Sequence, residues 1–154
     1  GMSARKDELR TALTASIKAR DSLRSSTIRM ALAAITNAEV AGKEARELTD
    51  DDVLGVLATE AKKRREAAEA FDAGNRPELA EKERKEAAIL ADFLPAALSP
   101  EDITALIQDA IESTGAAADG MKAMGRVMAV VTPQVKGRAD GGVVAGEVRR
   151  LLGA

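Results

Sequence analysis

The chain has 154 residues with 23 basic and 25 acidic groups, a net charge of −2, neither cysteine nor histidine, and Phe71 and Phe93 as its only aromatics. That composition excludes disulfides, thiolate nucleophiles, imidazole bases and ordinary zinc sites, and it sets up no global basic field. With 45% apolar residues, a core of Leu, Ile, Val, Met and Ala is within reach, enough for one domain or two small ones and unlike a disordered chain.

Apolar positions recur at helical spacing throughout, and no alternating run is long enough for a strand. The fold class read from this is all-α, about seven helices, over 4–19, 22–42, 50–73, 76–94, 100–114, 120–132 and 141–152. Gly1 ahead of Met2 has the form of a tag-removal scar and stays outside the fold argument. Residues 3–8 lack the apolar stretch of a secretory leader. No apolar run approaches the ~20 residues of a membrane span. The expected location is cytoplasmic, with no membrane partner.

Asp21 is placed to cap the second helix, and Gly42 to close it. Thr49-Asp50-Asp51-Asp52 reads as a capping hydroxyl with acidic groups at a helix N-terminus, where free N–H groups and the dipole favour them. A metal is not expected there, because no further acidic cluster completes a site. Neither metal nor cofactor is implied elsewhere.

Lys62-Lys63-Arg64-Arg65 looks like a nucleic-acid patch, but four consecutive helical residues point in nearly every direction. Arg64 falls in a gap of the apolar stripe Leu57, Ala61, Ala68 and Phe71, so it leans inward and needs a partner. Gly74-Asn75-Arg76-Pro77 is a turn with a first-turn proline, joining two long helices into a hairpin. About this turn Arg64 and Glu86 come level at ~1.5 Å per residue. The spacing predicts a structural ion pair between Arg64 and Glu86, with Glu83 as the fallback.

Pro95 stops a helix, while Ser99 and Pro100 start the next. The expected division is an N-terminal helical subdomain over 3–98 and a C-terminal three-helix subdomain over 99–154, joined by a proline-stiffened connection. The three C-terminal stripes are Ile103, Leu106, Ile107, Ala110 and Ile111; then Met121, Met124, Met128 and Val131; then Val144, Val148, Leu151 and Leu152. The Met stripe is read as core filling an irregular gap. Gly125, costly inside a helix, is read as letting a neighbouring helix come close.

Charge is segregated along the chain. Residues 99–119 hold five acidic groups and no basic one, whereas 120–154 hold six basic and two acidic groups, a local +4. Within it lies MGRVMAVVTPQVKGRADGG, residues 124–142. A P-loop is excluded: Lys136 precedes Gly137, no hydroxyl follows and no strand leads in. A plain turn accounts for Thr132-Pro133 as a helix end, Gly137 as the bend and Asp140 as a cap. It leaves unexplained Lys136 and Arg138 around the turn, and Lys122 and Arg126 one helical turn apart. Basic groups around a helix N-terminus suit phosphate.

In Ile28-Arg29-Met30, Lys62-Lys63-Arg64, Phe93-Leu94-Pro95, Met124-Gly125-Arg126-Val127-Met128 and Gly137-Arg138-Ala139-Asp140-Gly141 the chain resembles the GatB/YqeY family from Leu9 to Leu152, and the last two pieces, in the family's order and spacing, are the more specific. Gln134 stands where that family often has Lys, and Arg138 where Lys is usual. The resemblance implies a helical unit like the C-terminal tail of the B subunit of glutamine-dependent aspartyl/glutamyl-tRNA amidotransferases, which helps hold the tRNA. The carbon–nitrogen ligation, with glutamine as amido-N donor, resides in other domains there. The implied function is a tRNA-binding helical module without catalysis of its own, with an amidotransferase or tRNA synthetase as a possible neighbour. Its RNA-binding candidates are Lys122, Arg126, Lys136 and Arg138. With base-stacking aromatics missing, binding rests on shape and phosphate contacts. Two alternatives stay open: a protein–protein adaptor without RNA contact, and an enzyme using Ser–Lys or paired carboxylates.

Overall fold

The computed structural model describes residues 3–153. It has seven α-helices: α1 (Ala4–Lys18), α2 (Ser22–Glu39), α3 (Asp50–Ala73), α4 (Pro77–Ala91), α5 (Pro100–Thr114), α6 (Met124–Val135) and α7 (Gly141–Leu151). Two short 3-10 turns, Ala116–Ala118 and Gly120–Ala123, lead into α6, and no strand occurs among the described residues. The helices group into two compact units that divide between Pro95 and Ala96. Residues 96–98 go with the second unit because the Leu98 N–H donates to the Arg138 carbonyl at 2.9 Å and the Arg138 Nε donates to the Ala96 carbonyl at 3.1 Å.

Short polar side chains set most helix starts. Ser3 and Asp21 accept from the Lys6 and Arg24 N–H groups, and Asp140 from those of Gly142 and Val143. Thr49 with Asp52, and Ser99 with Asp102, form reciprocal capping boxes, each satisfying two backbone donors that a helix start leaves open. Pro77 and Pro100 occupy first-turn positions where a missing N–H costs nothing.

The helix ends depart from the sequence reading in three places. α2 stops at Glu39 rather than Gly42, because the chain folds back and the Arg46 N–H bonds to the Glu39 carbonyl at 2.9 Å. α4 stops at Ala91 rather than residue 94. Asp92, Phe93 and Leu94 each donate three residues back, a tightened last turn before a proline that disfavours helix in its predecessor. α6 begins at Met124, not 120, and runs through Pro133 to Val135. The proline removes one bond in the last turn, and the carbonyl four residues back belongs to exposed Ala129, where water can take it.

In the first unit, Leu9, Ile28, Ala31, Ile35, Leu48, Val53, Leu57, Ala61, Leu90 and Phe93 form the core. α3 and α4 make a long hairpin, turned at Asn75 in the left-handed conformation (φ 59°), which Asn tolerates well. Ala68, Ala80 and Ala87 are buried on these two helices. Arg64 lies inward with 15% of its side chain exposed, while Lys62, Lys63 and Arg65 are exposed. Its Nε stands 3.5 Å from Glu86 Oε2, its Nη1 3.4 Å from Glu60 Oε1, and its Nη2 against the Met30 sulfur. The buried Nε makes no hydrogen bond, so Glu86 holds Arg64 by charge at ion-pair distance.

In the second unit the α6 stripe lies one residue out of phase with the sequence reading. The buried positions are Ala123, Val127, Val131 and Val135, with Met124 and Met128 packed at their margin. Met121, expected in the core, is 48% exposed. The 3-10 turn at Gly120–Ala123 has three residues per turn, so it rotates Met121 out of register with the helix that follows. Gly125 is also not a close-approach site: a Cβ built there meets nothing within 4 Å, and the same holds for Gly146 in the middle of α7.

Two stability measurements follow from these positions. Gly146→Ala should stabilise by about 0.5–1 kcal/mol, and Gly125→Ala by less because it lies in the first turn; a lowered melting temperature for Gly146→Ala contradicts the open space around it. Arg64→Ala leaves Glu60 and Glu86 largely buried without their shared cation. It should cost about 2 kcal/mol, above the ~0–1 of a surface pair, as read by urea denaturation.

Candidate nucleic-acid interface

The four cationic candidates sit as two pairs at opposite ends of α6. Lys122 belongs to the 3-10 turn and Arg126 to the first turn of α6. Lys136 is the residue that ends α6, and Arg138 follows Gly137, whose left-handed backbone (φ 74°) makes the bend. Twelve helical residues separate the pairs by ~18 Å, so no single phosphate touches all four.

Their electrostatic states differ. Arg126 Nη2 lies 2.6 Å from Asp119 Oδ2, with both side chains about half exposed. Arg138 is half-buried and works as a clasp: its Nε, its N–H and its carbonyl bond to Ala96, Val135 and Leu98. Lys122 and Lys136 are exposed and make neither a hydrogen bond nor an ion pair among the described residues. The sequence reading passed over Arg149, which is also exposed at the end of α7 and without an ion partner among the described residues. Its place in a basic last turn was the available signal. Arg150 beside it is held by Glu147 at 2.6 and 2.8 Å.

The helix N-terminus expected to receive phosphate is occupied by the chain itself. Asp140 Oδ1 accepts the Gly142 and Val143 N–H groups at 2.8 and 3.2 Å. An anion at the start of α7 would meet a carboxylate already bonded to those donors. Phosphate binding in this unit therefore rests on side-chain cations. Gln134 turns its amide onto the Val130 carbonyl at 3.1 Å and adds no charge.

Six of the seven serine hydroxyls are engaged. Ser3 and Ser99 cap helices, Ser16 and Ser25 are buried against each other at 2.9 Å, and Ser26 and Ser113 donate to carbonyls one turn back. No group of three or more His, Cys, Asp or Glu side chains able to hold a metal occurs among the described residues. None of the described helices is long and apolar enough to cross a membrane.

Glu147 ties α7 to α5. It accepts two bonds from Arg150 and one from the Thr104 hydroxyl at 2.5 Å, and these push its carboxyl down from 4.5 to about 2. Because the folded value lies below the ordinary one, this stabilisation is complete above about pH 4.5 and is lost as pH falls toward about 2. Melting temperatures of the parent and Glu147→Gln should therefore differ at neutral pH and converge in strong acid. A gap that persists at pH ~2 contradicts the assignment.

Comparison with known proteins gives two matches. The sequence signature of a family described as Yqey-like protein covers residues 6–152. A protein of Schizosaccharomyces pombe, printed as uncharacterized protein C22F3.15, is 40% identical over 88 residues, which is 56% of this chain and 69% of that one.

Proposed function

The chain belongs to the Yqey-like protein family, and from that premise we propose that it is a tRNA-binding helical module that grips RNA by its phosphates and carries out no chemistry of its own. The observation that carries this reading is the pair of exposed lysines, Lys122 and Lys136, at the two ends of α6 and unpartnered among the described residues. Arg126 and Arg138 stand beside them. Arg126 joins by exchanging Asp119 for a phosphate, and Arg138 offers the guanidinium nitrogens its clasp leaves free.

The choice of tRNA follows from the resemblance to the tail of the amidotransferase B subunit. That resemblance also nominates an amidotransferase or a tRNA synthetase as a neighbour in the cytoplasm. Phosphate contacts of this kind would be sequence-blind, since the unit that carries these cations has no aromatic residue to stack a base.

The test is retention of total tRNA by the full chain at two salt concentrations. Lys122→Ala and Lys136→Ala should each weaken retention uniformly across tRNA sequences and lower the salt slope by roughly 0.7–0.9. Arg126→Ala should lower it less, because Asp119 already neutralises that group in the free chain. A variant carrying Ala at Lys122, Arg126, Lys136 and Arg138 that still binds as tightly as the parent ends this reading. No retention by the parent at low salt favours a protein–protein adaptor instead.

A further inference from the structure

The segment between α2 and α3 has an unusual mode of attachment. Residues 40–47 are all exposed, Val40 at 58%, whereas Leu48 is 3% exposed and belongs to the core of the first unit. Beyond residue 41 the return path is fixed through Glu39. Its carboxylate takes the Lys6 ammonium of α1 at 3.0 and 3.2 Å on its two oxygens, and the Leu48 N–H at 3.1 Å. Its carbonyl takes the Arg46 N–H at 2.9 Å. The other hold is an exposed pair, Arg46 with Asp52 at 3.1 Å. Lys6 and Glu39 have side chains only 10% and 15% exposed, so their pairing is poorly replaced by water.

We propose that residues 40–48 form a strap that opens as a unit, with Glu39 as its clasp and Leu48 as the plug it seats. With the clasp closed, one carboxylate joins α1, the end of α2 and the start of α3. With it released, Leu48 loses the bond that positions its backbone, and eight exposed residues have little else to hold them. The helices stay in place, because α1 and α3 have a separate junction: the Asp50 carboxylate accepts the Ser3 hydroxyl and the Arg5 N–H. Thr49 and Asp52 keep α3 capped in either state. A segment with one seated apolar side chain and few backbone bonds has the make-up of a low-stability opening unit.

Charge is what closes the clasp. Lys6 first, and then the Leu48 N–H, hold the Glu39 carboxyl below its usual range, with Lys6 and Arg10 of α1 adding favourable charge. The strap accordingly stays shut through mild acid and loosens only as pH falls through that lowered value.

Amide hydrogen exchange on the full chain at neutral pH tests this. In the parent, the Leu48 and Arg46 amides should exchange at least ~10-fold faster than the core amides of Ile35 and Leu57, corrected for intrinsic rates. Glu39→Gln removes the charge with little change of shape. It should speed Leu48 and Arg46 by a further ~10-fold or more while Ile35 and Leu57 stay within ~3-fold. Lys6→Met, removing the other partner, should give the same pattern and serves as the second variant should Glu39→Gln fail to fold. The proposal is overturned if Leu48 exchanges in step with the core in the parent, if neither variant changes it, or if both variants unfold the chain as a whole.

Discussion

The structure depends on burying enough surface with small side chains. With two aromatics in 154 residues, large planar side chains cannot carry the core, so aliphatic ones do: mostly leucine and isoleucine in the first unit and valine in the second, with buried alanine in both. Ala31, Ala61, Ala68, Ala80, Ala110, Ala116 and Ala123 are all 3% exposed or less. Small side chains bury little area each, and long amphipathic ones must extend the cover by laying their stems on apolar surface. Arg64 on α3, with Glu60 and Glu86 beside it, and Lys6 with Glu39, are such extensions. Each is largely buried, and each is tolerable only because an opposite charge comes with it.

The same constraint explains where the acidic residues went. Helices held by thin cores gain proportionally more from well-made ends, and here Asp21, Asp52, Asp102 and Asp140 each accept from backbone N–H groups at a helix start. Asp50 and Glu39 bond across to neighbouring segments. A formal charge of −2 therefore misdescribes what a polyanion meets. Many carboxylates are already bonded to the chain's own donors, whereas the side chains of Lys122, Lys136 and Arg149 have no acceptor among the described residues. Local free charge, and not the net figure, sets the field at the ends of α6.

Much of this was legible in the sequence, and the reasons are local. Caps, first-turn prolines and the Asn75 turn are written in adjacent residues, so the starts of six helices fell within a residue of the structure. The inward lean of Arg64 followed from its gap in an apolar stripe. What was not legible depends on distance or on helix phase. The 3-10 turn at Gly120–Ala123 shifts the register of everything before α6, which misplaced Met121. Gly125 carries no mark that distinguishes an exposed helical glycine from one under a neighbouring helix. The Ala96 carbonyl that fixes Arg138 lies 42 residues away, and no periodicity reports it. The N-terminus of α7 looked open to phosphate because Asp140 was read as a cap without following its oxygen onto two donors.

Arginine and lysine divide the work around α6 according to their chemistry. An ammonium on a flexible stem is a mobile point charge, suited to a phosphate whose position varies. A guanidinium offers five donors in a rigid fork, so one edge can serve the fold while the other remains available. Lys122 and Lys136 are the free pair, and Arg126 and Arg138 are the anchored pair. At position 138, where Lys is usual in the family the chain resembles, arginine keeps the charge. It adds the Nε bond to Ala96 that holds residues 96–98 against the bend at Gly137. A lysine placed there has three donors on one freely turning ammonium, without a second rigid edge that faces outward while the first holds the carbonyl. The Arg138 fork has an outer edge left over, so a phosphate bound there would share one rigid arrangement with the seating of Leu98 on the Arg138 carbonyl. Under the proposed function, grip on a phosphate and order in the loop would be coupled through one residue.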